Sequence, residues 1–219
     1  RRGVYRGRDV AVKLVFSEAL ASTRQRSPSE LRTEFDREVA MLRRVSHINC
    51  VAFFGTFGDP KYGAHGLVME FLRDGSLQQR LEAPHLPSVD DVALQLADGV
   101  AAGLAHLHGV GILHRDLKPA NCFIADNDVV RLGDFNVSKV LKGGVQLMKT
   151  KIGTPYYMAP EVWDDRPYTA SADVWALGII LFLLLTGMPP WDAATGPVAT
   201  DLRFVYVRDG RLRDLLNTW

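Results

Sequence analysis

The stretch that decides the fold is His114-Arg115-Asp116-Leu117-Lys118-Pro119-Ala120-Asn121. It places an imidazole, a guanidinium, a carboxylate, an ammonium and an amide in one short segment. A helical pattern of apolar residues ends before it, and two short strand-like stretches, at 122–124 and 129–132, follow it. Such a segment is either a polar loop that caps a helix or a site where charged side chains act together.

This segment matches the catalytic loop of eukaryotic-type protein kinases in full, so the chain resembles a protein kinase catalytic domain. The resemblance implies an α+β, bilobal fold: a small antiparallel-sheet lobe with one key helix, then a larger, mainly helical lobe. In that family Asp116 accepts the substrate hydroxyl proton, Lys118 neutralises charge on the transferring group, and Asn121 holds a divalent metal ion. Residues 1–72 are expected to form the first lobe and residues 73–219 the second.

A second segment, Asp134-Phe135-Asn136, departs from the family at one residue, because the family has Asp-Phe-Gly there. The resemblance assigns Asp134 to the metal, and it assigns Phe135 to an internal stack of side chains with His114. Asn is the non-glycine residue best able to enter the left-handed backbone region. We therefore expect the metal-binding geometry to survive the presence of Asn136.

A lysine and a glutamate form the next predicted pair. Val10-Ala11-Val12-Lys13 resembles the strand whose lysine holds the α- and β-phosphates of ATP. Glu38 lies within the apolar stripe of a helix predicted over about 29–45, and a carboxylate that faces inward needs a cation. The resemblance supplies Lys13 as that cation. The alternative is a surface carboxylate at the edge of the stripe.

The other nucleotide contacts rest on the resemblance alone. It identifies Met69 as the gatekeeper, and the backbone groups of Glu70 and Leu72 as partners of the adenine edge. It expects the adenine ring to be enclosed by Val4, Ala11 and Phe123. Every one of these residues is equally suited to a plain core. The implied cofactors are ATP and Mg²⁺ (or Mn²⁺).

The sequence Gly-Thr-Pro-Tyr-Tyr-Met-Ala-Pro-Glu at 153–161 closes the activation segment and, together with Lys118, resembles serine/threonine kinases. By this resemblance Thr154 contacts Asp116 and Lys118. Thr150 falls at the usual activating phosphosite, and Arg115 is the arginine that commonly pairs with such a phosphate. The alternative is that Thr150 is an unmodified loop residue.

Two acidic residues receive structural roles from the resemblance. Asp173 braces the catalytic loop from below, and Glu161 pairs with an arginine in helices that the family carries beyond Trp219. At the other end, the phosphate-covering loop should precede Val4, and Arg2 stands where its third glycine is expected. The chain is therefore expected to lack both ends of the domain.

The bulk properties exclude several classes of protein. The 219 residues have a formal net charge of +1, which gives no support for nucleic-acid binding as the main role. The longest apolar run, at 174–185, is too short to span a bilayer and predicts a helix buried in a large core. Cys50 and Cys122 are not in a CxxC pair and indicate a reduced, intracellular protein, so we expect a cytoplasmic location.

Three functions remain open from the sequence. The leading one is a serine/threonine kinase that acts on protein substrates and is activated by an upstream kinase or by self-phosphorylation. Residues 72–77 resemble the tyrosine-kinase-like branch of these enzymes. The alternative from another class is a pseudokinase, a nucleotide-binding or scaffolding module that keeps the fold. A small-molecule kinase is disfavoured, because such enzymes generally lack the peptide-positioning sequence at 153–161.

Overall fold

A computed structural model describes residues 1–16, 27–59, 64–83, 89–135, 137–141, 147–191, 201–211 and residue 213. Most of the loop predicted at 17–29 lies outside these residues, and so does Asn136. The described part has the predicted α+β architecture, with a sheet-rich first third followed by a mainly helical remainder. The boundary at residue 72 stays a prediction.

The first third forms a four-stranded antiparallel sheet. Its strands are β1 (Arg2–Tyr5), β2 (Arg8–Phe16), β3 (Phe53–Asp59) and β4 (Ala64–Glu70). Their order in the sheet is β1-β2-β4-β3. Arg6 and Gly7 form the turn between β1 and β2 with φ values of 50° and 75°, which suits a two-residue hairpin whose twist matches its strands.

One helix, α1 (Pro28–Leu42), accompanies this sheet. It begins at the N-cap Ser27, whose hydroxyl accepts the N–H of Glu30 while the Glu30 carboxylate accepts the N–H of Ser27. Phe35 and Leu42 are buried, as the 3.6-residue period predicts. The same face carries Glu38 towards β2.

The remainder contains five described helices and two small two-stranded sheets. The helices are α2 (Leu77–Leu81), α3 (Val89–Gly109), α4 (Pro160–Trp163), α5 (Ser171–Thr186) and α6 (Leu202–Arg208). One sheet pairs β5 (Ile112–Leu113) with β8 (Lys139–Val140), and the other is a hairpin of β6 (Cys122–Ala125) and β7 (Val129–Leu132). Short 3₁₀ helices occupy Pro119–Asn121, Asp126–Asp128 and Pro155–Tyr157.

The core of this remainder lies between α3 and α5. Val100 and Leu107 of α3 and Ile180 of α5 are each 0% exposed. The prediction that α5 is buried all round is wrong, because Val174 and Leu185 are 54% and 44% exposed. Helix α3 covers only one side of α5, and the opposite side carries these two residues. No helix in the described ranges combines the length and apolarity that crossing a bilayer requires.

Candidate active site

A cleft of about 390 Å³ opens between the sheet and the helical remainder. Residues predicted for the site supply most of its lining: Ala11, Lys13, Glu38, Met69, Glu70, Leu72, Asn121, Phe123, Asp134 and Phe135. Val4 is not among the lining residues. The register places it on the same face of the sheet as Ala11, but Val4 is 74% exposed.

Lys13 lies between two carboxylates at the inner end of the cleft. Its Nζ donates to Glu38 Oε1 at 2.9 Å and stands 3.6 Å from Asp134 Oδ1. The Glu38 side chain is 15% exposed, so this carboxylate faces inward and is not a surface residue at the edge of the stripe. The pair joins β2 to α1 and fixes the ammonium at the end of the cleft where Asp134 stands.

The catalytic-loop residues converge beside this cleft. Asp116 Oδ1 accepts the backbone N–H of Thr154 at 2.8 Å and its hydroxyl at 2.7 Å. Lys118 Nζ stands 2.7 Å from Asp116 Oδ2 and donates to the Thr154 hydroxyl oxygen at 2.6 Å. Asn121 Nδ2 donates to the Asp116 carbonyl at 2.8 Å and to Oδ2 at 3.2 Å. The Thr154 hydroxyl therefore bridges the ammonium and the carboxylate.

The electrostatics of this group keep Asp116 ionised. Partial burial favours the neutral acid, but the hydrogen bonds from Lys118 and Thr154 outweigh it and hold the pKa of Asp116 below its usual value. An ionised carboxylate with an oxygen near the cleft is able to accept a proton from a hydroxyl group.

Asp173, at the start of α5, holds the backbone of the catalytic loop. Its carboxylate accepts the N–H of His114 at 2.9 Å and the N–H of Arg115 at 2.8 Å, and it lies 2.9 Å from His108 Nε2. Burial opposes its ionisation, yet the hydrogen bond from His108, the nearby His114 and the two N–H groups hold the pKa of Asp173 below its usual value. Arg115, whose N–H this carboxylate accepts, has left-handed backbone geometry, with φ of 66°.

His114 and Phe135 pack against each other inside the domain, with ring centroids 5.6 Å apart. His114 is 0% exposed, and burial lowers its pKa. Its Nδ1 accepts the Asp116 N–H at 3.4 Å and its Nε2–H donates to the Gly133 carbonyl at 3.2 Å, which is the pattern of a neutral imidazole.

Asn121 and Asp134 supply oxygen donors on one side of the cleft. Asp134 has φ of 58°, and its side chain is 40% exposed. Within the described residues, no cluster of three or more His, Cys, Asp or Glu side chains is able to hold a metal by itself. One carboxylate and one amide fit a hard cation such as Mg²⁺, which takes its remaining ligands from phosphate and water.

The predicted regulatory residues are not brought together. Thr150 is exposed, and its carbonyl accepts the Tyr168 hydroxyl at 3.0 Å. The Arg115 guanidinium instead donates from Nε to the Val137 carbonyl at 2.6 Å. The Ser171 hydroxyl contacts Glu161 at 3.5 Å, and the described residues record no ion pair for this glutamate. The assigned roles of Thr150, Arg115 and Glu161 stay predictions.

The sequence did not predict an ion pair between Arg131 and the cleft residue Glu70. Arg131 of β7 lies directly opposite Phe123, and its Nε stands 3.1 Å from Glu70 Oε2. Its Nη1 also donates to the Ile48 carbonyl. The Arg131 Nε makes no aligned hydrogen bond, so the contact with Glu70 is an ion pair. Val51 and Ala120, which also line the cleft, were missed as well. The sequence indicated only which face of β7 carries Arg131, because alternation along a strand places residues 129 and 131 on the same face.

Comparisons with known proteins agree with this geometry. The family described as "Protein kinase domain" matches residues 3–206. Serine/threonine-protein kinase STY46 of Arabidopsis thaliana is 37% identical over 92% of this chain and 34% of its own length. Serine/threonine-protein kinase Nek5 of Homo sapiens is 35% identical over 77% of this chain and 24% of its own length. The chain thus spans about a third and about a quarter of these relatives. The chain belongs to the protein kinase family, and both of these relatives are named serine/threonine-protein kinases.

Proposed function

We propose that this chain is the catalytic domain of an active serine/threonine kinase that transfers the γ-phosphate of ATP to protein substrates. The observation that carries the proposal is the contact set of Asp116, whose carboxylate is held by Thr154 and Lys118 beside the cleft. A scaffolding module has no need of an ionised carboxylate that is fixed by side chains or backbone of three residues, Thr154, Lys118 and Asn121.

The residues divide the reaction between the cleft and the catalytic loop beside it. In the cleft, Lys13 is positioned by Glu38 to hold phosphate oxygens. Beside the cleft, Asp116 accepts the proton of the attacking Ser or Thr hydroxyl, and Lys118 stabilises the charge that develops on the transferred group. Because the hydroxyl of Thr154 contacts both side chains, it keeps this acid–base pair aligned.

We propose Mg²⁺ as the metal, held by Asn121 and Asp134. When bound, it neutralises phosphate charge. Asn121 uses its amide N–H group on Asp116, so the amide oxygen is the donor left for a cation. Asp134 is kept near Lys13, so the ammonium and the cation binding site share the phosphate end of the cleft.

Regulation is proposed at Thr150. Its exposure leaves the hydroxyl accessible to an upstream kinase or to another copy of the enzyme, and Lys149 and Lys151 flank it with positive charge. The free, buried thiols of Cys50 and Cys122 agree with a reducing compartment, and we propose a cytoplasmic location.

The proposal is tested with the full-length protein, labelled ATP and casein as the acceptor. We expect label on serine and threonine in the presence of Mg²⁺ and none after chelation by EDTA. Label on tyrosine alone would contradict the acceptor class. Transfer to a small alcohol without transfer to any protein would contradict the class of enzyme.

A further inference from the structure

Arg2 of β1 lies on the side of the sheet that faces the cleft. It is directly opposite Ala11 of β2, and directly paired residues on neighbouring strands place their side chains on the same face. Ala11 lines the cleft, as does Lys13 two residues further along β2. The Arg2 side chain therefore extends from the sheet above the cleft.

The guanidinium of Arg2 is held at the rim of the cleft by two contacts. Its Nε and Nη2 donate to Asp9 Oδ1 and Oδ2 at 3.1 and 2.7 Å, which is a bidentate pair. The group also lies over the ring of Phe71, 5.2 Å from the centroid, and Phe71 lines the cleft. We call the set of Arg2, Asp9 and Phe71 the latch.

Asp9 also connects the latch to Arg73, on the segment that follows β4. Its Oδ2 also accepts Arg73 Nη2 at 2.6 Å, so one carboxylate ties two strands to the segment that follows Leu72. These groups are open to solvent, with side chains of Arg2 and Arg73 59% and 71% exposed. Exposed ion pairs are weak and are screened by salt, so such a contact opens readily.

We propose that the latch controls entry to the nucleotide cleft, with Arg2 as the residue that closes its outer rim above Phe71. The inference rests on the proposed function, because it takes the cleft to be a nucleotide site. A ligand enters when the Arg2 guanidinium leaves Phe71. An exposed ion pair with one cation–π contact favours the closed arrangement by about threefold to thirtyfold, and the apparent affinity of the ligand is reduced by about the same factor.

The test uses adenosine because it is uncharged. Any effect of salt on its affinity therefore comes from the latch and not from attraction between phosphate and basic residues. Binding affinity and association rate are measured with the full-length protein at low and at high salt. The variants are Arg2→Gln and Asp9→Asn. Arg8→Gln is the control: it removes the same charge from the same hairpin, and the described residues record no ion pair for Arg8.

At high salt, wild type and Arg8→Gln should bind adenosine faster and up to about fivefold more tightly, because salt screens the ion pair and leaves the cation–π contact. Asp9→Asn should reach that affinity already at low salt. Arg2→Gln should bind about threefold to thirtyfold more tightly than wild type at low salt, because it loses both contacts, and neither variant should depend on salt. Adenosine binding that is equal in all four proteins at both salt levels would overturn the latch while leaving the nucleotide site intact. Failure of every protein to bind adenosine or ATP would contradict the proposed function and the latch together.

Discussion

The Nζ of Lys13 lies 2.9 Å from Glu38 Oε1, although 25 residues separate them along the chain. This contact requires that α1 present its glutamate to β2, and it does so because Phe35 and Leu42 bury the same face of the helix. Asp134 stands 3.6 Å from the same ammonium. Lys13, which is proposed to hold phosphate, and Asp134, which is proposed to hold the metal, thereby lie next to each other.

Removing the carboxylate of this pair should impair transfer more than folding. Glu38→Gln keeps the size of the side chain but loses the charge that orients Lys13, so we expect kcat/KM to fall about tenfold to a hundredfold. The free energy of unfolding should change by less than about 1 kcal/mol, since the pair is partly open to solvent. Steady-state kinetics and urea unfolding check the two parts, with Glu34→Gln on the same helix as the control. A loss of stability as large as the loss of activity would contradict a positioning role.

The hydroxyl of Thr154 should matter by itself. Thr154→Val keeps the shape and the backbone N–H contact to Asp116 but removes the bridge to Lys118. A hydrogen bond to a charged group is worth about 1.5–3 kcal/mol, so kcat should fall about tenfold to a hundredfold. Thr154→Ser restores the hydroxyl and should recover most of the activity. Equal kcat in the Val and Ser variants would contradict the bridge.

Asp173→Asn should damage both stability and activity. The buried carboxylate accepts two backbone N–H groups and contacts His108, and an amide presents one acceptor where the carboxylate presents two. We expect a loss of about 2–4 kcal/mol in the free energy of unfolding. Asp126→Asn makes the same change at an exposed position and should be neutral. Thermal unfolding compares the two, and equal midpoints would refute the bracing role.

The stability of the fold should decrease as the pH falls below about 6.5, the usual pKa of histidine. Burial lowers the pKa of His114, so the unfolded chain binds a proton that the folded chain excludes, and protonation favours unfolding. The stabilisation that comes from the neutral His114 is fully present above the pKa of histidine in the unfolded chain. It diminishes as the pH falls towards the pKa of His114 in the folded chain. Burial shifts the pKa of His106 in the same direction. Unfolding free energies from pH 7.5 to 5 should therefore show a shallower slope in His114→Phe than in wild type, and an unchanged slope would contradict a neutral His114.

The structure reproduces the predicted positions of several site residues, while the roles assigned to them stay predictions. Glu38 was predictable because an inward carboxylate in an apolar stripe needs a cation. Asp116 and Asn121 were identified by the resemblance to the kinase catalytic loop, and Asn121 ends a 3₁₀ turn that begins at Pro119.

Contacts that depend on long side chains were not predictable. Arg115 donates to the Val137 carbonyl, a contact that the sequence did not indicate, and its pairing with a phosphate on Thr150 stays a prediction. The pair of Arg131 with Glu70 joins segments far apart in sequence, and no local pattern specifies it. Val4 faces the correct side of β1, yet strand register alone does not decide how far the cleft extends beneath it.

The central claim is that Asp116 is the proton acceptor in phosphate transfer, and single-turnover transfer by full-length Asp116→Asn tests it most directly. ATP affinity is measured on the same preparations. The account predicts unchanged ATP affinity and a rate of transfer to serine and threonine at least about a hundredfold below wild type. Equal transfer rates in the two proteins would contradict it.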